Sequence, residues 1–334
     1  MEQLIHSFLT PAPIGILLVI IAISFAVLSK GADMLVDEAV SLSLRWNVPK
    51  MIIGATIVSL GTTLPEATVS VFAAVKGNPG LALGNAIGSI IVDTGLILGV
   101  AALIGKLAID KLTINRQGRI QVAAGFLLAI VSLPFLSRGP EGRITQWMGF
   151  ILLALLIVYI IGSIRWAQQC NVDVDFPGDE NQSSLFIQLL KLAIGIALVV
   201  FASKVLIPSV EITAVRAGIP QSIIAATLVA FGTSLPELIT AVMSVRKGHG
   251  ELAVGNIVGA DILNILFVIG SSAAVTSGGL IVPTEFYKLQ IPFMLIILLI
   301  FRILAKKNRF LGRREGGVLL GLYLIYLVLN FTFI

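Results

Sequence analysis

Two short stretches of this chain combine residue types that could do chemistry inside an apolar setting: Gly61-Thr62-Thr63-Leu64-Pro65-Glu66 and Gly232-Thr233-Ser234-Leu235-Pro236-Glu237. Each proline removes a backbone donor and frees the carbonyl one turn earlier. Each glutamate puts a carboxylate where the centre of a bilayer would disfavour an acid by about 2.5 to 3.5 kcal/mol on insertion scales. A cation held by both carboxylates would offset that cost directly, so the pair reads as functional. Two further stretches could face them: Gly84-Asn85 to Gly88-Ser89 followed by Asp93, and Gly255-Asn256 to Gly259-Ala260 followed by Asn264. Residues four apart share a helix face, which groups Thr62 with Glu66, Thr233 with Glu237, Ser89 with Asp93, and Ala260 with Asn264. All the candidate ligands are oxygen donors, a set suited to hard cations such as calcium or sodium and not to zinc or copper. Asn85 and Asn256 read as groups that bridge backbone across the helix break.

The elements that must position these residues follow from composition. The chain has 334 residues, 57% apolar and 12% charged, with mean hydropathy +1.01; a soluble domain carries about 25% charged residues. That excludes a soluble enzyme. A spanning helix takes about 20 residues, and apolar runs bounded by charge, Gly or Pro lie near 13–43, 48–75, 80–105, 119–137, 145–165, 185–215, 220–246, 251–276, 286–305 and 315–333. Residues 54–103 align without a gap on 225–274 at a constant offset of 171, with 19 identities in 50 positions. Five spans per half is an odd number, so the second copy must cross the membrane in the opposite sense, as in secondary transporters with a midplane ion site. The expected fold is an all-α membrane protein of ten transmembrane helices arranged as two inverted five-helix repeats. Its units are residues 1–167, a polar cytoplasmic linker at 168–184 and residues 185–334.

The 23 Lys and Arg sit between apolar runs, so the net charge of +5 is a topology signal and gives no ground for a nucleic-acid partner. With the N-terminus outside, 15 of them fall in inner loops and 5 in outer loops. Both termini should therefore face outward from the plasma or inner cell membrane. The start of the chain lacks a basic segment and a cleavage site, which argues against a cleaved signal peptide. Cys170 stands alone, excluding an internal disulfide. The linker acids Asp173, Asp175, Asp179 and Glu180 do not fit a calcium-loop spacing. His6 and His249 read as wetted loop imidazoles. Lys30 and Lys204 have a structural reading, neutralising Asp33 and Glu211 or snorkelling to an interface.

The paired GT[TS]LPE motifs and downstream GNxxG segments resemble the two alpha-repeats of the sodium/calcium exchangers of prokaryotic type, within the calcium/cation antiporter superfamily. GADMLVDEA in the first span is also similar. The resemblance implies a monomeric secondary antiporter, not an enzyme and without a cofactor, that exchanges cytoplasmic calcium for external sodium by alternating access. By the same resemblance Glu66 and Glu237 are the central calcium ligands and Thr62 and Thr233 assist them. Thr63, Ser234, Ser89 and the carbonyls of Ser59 and Ala230 then serve calcium or sodium. Two departures stand out. The archaeal pattern has Asn in the first repeat and Asp in the second, where this chain has Asp93 and Asn264; and Ala260 replaces a serine, removing a hydroxyl from a peripheral sodium site. Asp261, beside it, points about 100° away around the helix. A calcium/proton exchanger would carry a GNxxE pattern where this chain has Gly88 and Gly259. Potassium co-transport stays open, a channel would not need an occludable site, and an intramembrane aspartyl protease would need a Gly-x-Gly-Asp form that is missing.

Overall fold

The computed structural model describes residues 2–134, 142–169, 184–217 and 232–333; Ala230, Cys170 and the linker acids Asp173 to Glu180 lie outside these. The described chain is helical apart from four strands of two or three residues. A short helix α1 (Glu2–Leu9) precedes α2 (Ile14–Arg45), whose 32 residues run from Pro13 to a left-handed turn at Asn47 (φ 52°) ahead of Pro49. Next come α3 (Lys50–Thr62) and α4 (Leu64–Val75), bent by 45° at Thr63, then α5 (Pro79–Ile104), α6 (Lys111–Val131) and α7 (Gln146–Gln169). The second half holds α8 (Leu185–Arg216), α9 (Leu235–Arg246), α10 (Gly250–Val275), α11 (Phe286–Lys307) and α12 (Arg313–Phe333). Among the described residues six helices are long and apolar enough to span a bilayer, or seven with the bent pair counted as one, so this is a multi-pass, all-helical membrane protein.

One boundary differs from the sequence expectation. The run near 119–137 begins at Lys111, because Asp110 accepts hydrogen bonds from the Leu112 and Thr113 amides at 3.2 and 3.1 Å. This cap extends the helix into a polar turn that hydropathy alone excludes.

Burial separates the helices into an inner and an outer set. The apolar window of α10 is 94% buried and that of α5 is 72%, against 22 to 39% for α2, α7, α8 and α11. The two central helices therefore meet protein on nearly all sides while the others present apolar faces to lipid. Small residues make the central packing possible. A Cβ on Gly255 would lie 2.1 Å from the Met51 carbonyl oxygen, and one on Gly259 2.5 Å from that of Ala55, so α3 and α10 touch backbone to backbone. The turns leading into α5 and α10 use Gly77 (φ 76°) and Gly248 (φ 78°), which stand 171 residues apart. Two antiparallel ribbons tie the halves together: β1 (Leu107–Ala108) pairs with β4 (Phe310–Leu311), and β2 (Gly142–Ile144) with β3 (Leu280–Val282).

α2 and α8 pack on each other through Gly31 and Gly195, whose added Cβ atoms would meet Leu198 Cβ at 2.8 Å and the Leu35 amide at 3.0 Å. Their polar attachment to the inner helices is ionic. Lys247, just after α9, lies 2.6 Å from Asp33 and 2.7 Å from Asp37 on α2. Asp33 thus pairs with Lys247 and not with Lys30. Partial burial pulls the Lys247 ammonium down, but its hydrogen bonds to Asp33 and Asp37 outweigh this and hold its pKa above the ordinary 10.5. A raised lysine pKa gives stability that is fully present below 10.5 and lost at more alkaline pH. Nearby, Lys50 bridges Glu251 at 3.2 Å and His249 Nδ1 at 3.1 Å. His249 is therefore a packed, paired imidazole. Its burial, then the Lys50 charge, lower its pKa from 6.5.

These contacts lead to two expectations. Lys247→Gln should lower stability by less than about 1 kcal/mol, as for a solvent-reached ion pair, yet speed hydrogen exchange at the α9–α10 turn and around Asp33 and Asp37. Unchanged exchange there would show that the pair does not hold α2. Below pH 6.5 the unfolded chain takes up the His249 proton before the folded one, so stability falls on acidification. The difference in melting temperature between wild type and His249→Gln, followed from about pH 7.5 to 5, should shrink as Lys50 and Glu251 lose their neutral partner.

Candidate ion-binding site

The helix breaks bring the two motifs to the centre. Thr63 (φ −80°, ψ −3°) stands between α3 and α4, Ser234 (φ −84°, ψ 10°) stands just before α9, and Pro65 and Pro236 open the helix that follows each. Each proline stands where a helix start has a spare amide in any case, so the break needs no compensating donor. Glu66 and Glu237 then fall in the first turns of α4 and α9, close to the positive end of each helix dipole. The chain bends by 45° at Thr63, and Glu66, in the turn that follows, is buried.

Glu66, Asp93, Glu237, Thr62, Thr63, Ser59, Ser89, Ser234 and Asn264 are all buried, none more than 2% exposed, and Thr233 is half-buried. Among the described residues both carboxylate oxygens of Glu66, Asp93 and Glu237 lack a hydrogen-bond partner, as do Thr63 Oγ1, Ser89 Oγ, Ser234 Oγ and Asn264 Oδ1. The charges of Glu237 and Asp93 act on Glu66, and that of Glu237 acts on Asp93, so the three acids form one electrostatic group. Among the described residues no Lys, Arg or His pairs with any of them. Three carboxylates in a water-poor interior with no internal cation are a demand for external positive charge. No three acidic, imidazole or thiol side chains among the described residues close on one point as a compact metal cage does. The oxygen set is instead mixed and spread over α3, α4, α5, α9 and α10.

The structure adds a relation that the motifs did not disclose. Thr62 Oγ1 donates to Asn256 Oδ1 at 3.4 Å, and Thr233 Oγ1 donates to Asn85 Oδ1 at 3.1 Å. Thr62 and Thr233 are 171 residues apart, and so are Asn85 and Asn256. Each threonine of one repeat is therefore held by the asparagine of the other. Asn85 also donates to the Glu66 carbonyl at 3.2 Å and to Ser70 Oγ at 2.9 Å, the backbone bridging expected of it. The signal that could have revealed the cross-pairing was the offset itself, applied to pairs and not only to single positions. The Ser59 carbonyl accepts the Thr63 amide at 2.9 Å and Thr62 Oγ1 at 3.4 Å, so it is already engaged within its own helix. Tyr159 on α7 donates to the Ala55 carbonyl at 2.9 Å, where α3 widens into a π turn over Gly54–Val58. Such turns recur at Val92–Ile97, beginning one residue before Asp93, and at Asn264–Ile269, the placement common for functional sites.

A cavity of about 360 Å³ is lined by Asn85, Thr233, Pro65 and Pro236 together with His6, Lys204 and Glu211. Asp33 and Asp37, the two aspartates paired with Lys247, lie on the C-terminal half of α2, away from the α1 end.

The comparisons agree with this geometry. The sequence family described as "Sodium/calcium exchanger protein" matches residues 16–165 and 187–332. An uncharacterized membrane protein of Methanocaldococcus jannaschii is 33% identical over 297 residues, covering 88% of this chain and 91% of its own. A sodium/calcium exchanger of Methanosarcina acetivorans is 29% identical over 348 residues, 93% of this chain and 97% of its own. The solved sodium-calcium exchanger NCX_Mj, soaked with sodium and calcium, superposes with a TM-score of 0.79 at 26% identity, covering 94% of this chain and 98% of that one. With a family match over nearly all of its length and a shared fold, this chain belongs to the sodium/calcium exchanger family.

Proposed function

We propose that the chain exchanges calcium for sodium across a cell membrane through one pocket shared by its two halves. The observation that carries this is the set of buried carboxylates, Glu66, Glu237 and Asp93, with no cationic side chain on them. One calcium or several sodium ions can neutralise that charge, but full occupancy by both would overfill it, and this exclusion is what makes the fluxes exchange. Glu66 and Glu237 are the central calcium ligands in this reading, with Thr62 and Thr233 beside them. Thr63, Ser234, Ser89, Asp93, Asn264 and the carbonyls of Ser59 and Ala230 complete the calcium and sodium positions. Calcium is a hard cation that takes six to eight oxygen ligands, and the side chains and freed carbonyls offer a set of that kind.

The finer architecture supports alternating access. The chain is read as ten spans, with residues 1–167 and 185–334 as inverted copies and 168–184 as a cytoplasmic linker. Equivalent elements recur at or near the same offset: α4 with α9, α5 with α10, the turn at Gly77 with that at Gly248. With both termini outside, the 360 Å³ cavity opens outward and the Lys247 ion pairs close the cytoplasmic side. The α2–α8 pair, joined by close glycine packing and resting on the core through aliphatic side chains and the Lys247 ion pairs, is the element that slides in this reading. An excess of sodium charge entering per cycle would let the membrane potential drive calcium out, at about 2.3 kcal/mol per elementary charge per 100 mV. The protein acts as a monomer in the inner or plasma membrane.

Sodium-loaded proteoliposomes diluted into sodium-free buffer should take up radioactive calcium, and vesicles carrying only a pH gradient should not. Glu66→Gln and Glu237→Gln should each remove that uptake while the purified protein keeps its elution profile and helical signal; vigorous exchange in either would sink the pocket. Asn256→Ala should leave Thr62 unheld and raise the half-saturating calcium concentration by about tenfold, the worth of one hydrogen bond near a charge, with little change in maximal rate.

A further inference from the structure

Asp261 is a fourth buried acid, and it does not belong to the pocket described above. It is fully buried on α10, beside Ala260, and its Oδ2 accepts from Thr94 Oγ1 at 2.5 Å and from Gln121 Nε2 at 2.6 Å. Thr94 lies on the π turn of α5 and Gln121 on α6, a helix that contributes nothing to the Glu66–Glu237 centre. Asp261 Oδ1 and Gln121 Oε1 remain without partners although both side chains are fully buried. Oδ2 holds both hydrogen bonds, which leaves Oδ1 without a hydrogen-bond partner among the described residues. A proton on Oδ1 would face no acceptor, whereas a cation there would satisfy Oδ1 and could take the Gln121 amide oxygen as well. Asp261 also acts electrostatically on Asp93, so an ion on one would be felt by the other.

We infer that Asp261, Gln121 and Thr94 form an accessory sodium site between α5, α6 and α10, one step behind Asp93 and separate from the calcium ligands. A single carboxylate with neutral oxygens matches a monovalent ion, because a divalent one would leave uncompensated positive charge in a closed interior. The site restores on another face of α10 the sodium-binding capacity that Ala260 removes. It deepens the exchange reading given above and rests on it only for its link to transport.

The test uses purified full-length protein and sodium chloride, with choline chloride holding ionic strength constant. Ligand at concentration L that binds only the folded state stabilises it by RT ln(1 + L/Kd), so the rise of melting temperature with sodium, fitted to that form, gives the half-saturating concentration. Asp261→Asn and Gln121→Leu should each raise the half-saturating sodium concentration for this effect by about tenfold, the worth of one charge-assisted bond. In proteoliposomes they should lower the Hill slope of sodium-driven calcium uptake by about one, while calcium-for-calcium exchange stays within about twofold of wild type. Thr94→Val gives a third variant should Asp261→Asn not fold. A wild-type sodium midpoint in Asp261→Asn and Gln121→Leu overturns the site and leaves Asp261 a structural acid. Loss of calcium-for-calcium exchange in Asp261→Asn overturns its separateness and places it in the central pocket. Should wild type lack calcium exchange altogether, the transport reading fails, while the sodium-dependent melting still decides Asp261.

Discussion

Uncompensated negative charge in a water-poor interior is the constraint on which the rest of this protein depends. Glu66, Asp93 and Glu237 are buried without a basic partner and without hydrogen bonds to their carboxylate oxygens. Packing alone does not stabilise such a group, because desolvating an ion costs several kcal/mol even after relaxation. In the exchange reading the cost is met by cations that come and go, and a site that needs cations but can release them is a carrier site. The helix breaks, the glycine contacts and the π turns are devices for keeping those oxygens in place while the main chain around them stays satisfied.

The two halves hold that place jointly. The Thr62–Asn256 and Thr233–Asn85 pairs cross from one repeat to the other in the same pattern. Each half thus sets the orientation of a candidate ligand in its counterpart, and neither half builds the site alone. Backbone contact between α3 and α10, allowed by Gly255 and Gly259, leaves little freedom for the two to move apart. The α2–α8 pair packs on that centre through apolar side chains, with Leu35, Val36 and Leu42 in one buried cluster with Ile52, Ile53 and Leu252, and Lys247 adds ion pairs to Asp33 and Asp37.

The pattern of acids in this chain also differs between its halves. Asp93 stands in the first repeat where the second has Asn264, and Asp261 stands in the second where the first has Ile90. Charge has been redistributed while the offset between repeats is kept. Its consequence is electrostatic continuity from Glu66 through Asp93 to Asp261, across three helices that share the most buried part of the molecule.

Much of this was legible in the residues. Hydropathy and length require a membrane protein, because 12% charged residues cannot solvate a surface of this size. The internal repeat and the two Pro-Glu motifs singled out the broken helices, since a missing amide is a property of the residue itself. Boundaries were less legible: the start of α6 depends on the Asp110 cap, a local hydrogen bond that hydropathy does not register. The partners of Asn85, Asn256, Asp33 and His249 belonged to the tertiary structure alone, because each contact joins segments far apart in the chain. Asp261 shows the division most clearly. Its adjacency to Ala260 was visible, but its direction, toward Thr94 and Gln121 and away from the central acids, is set by how α5, α6 and α10 pack, and no local spacing encodes that.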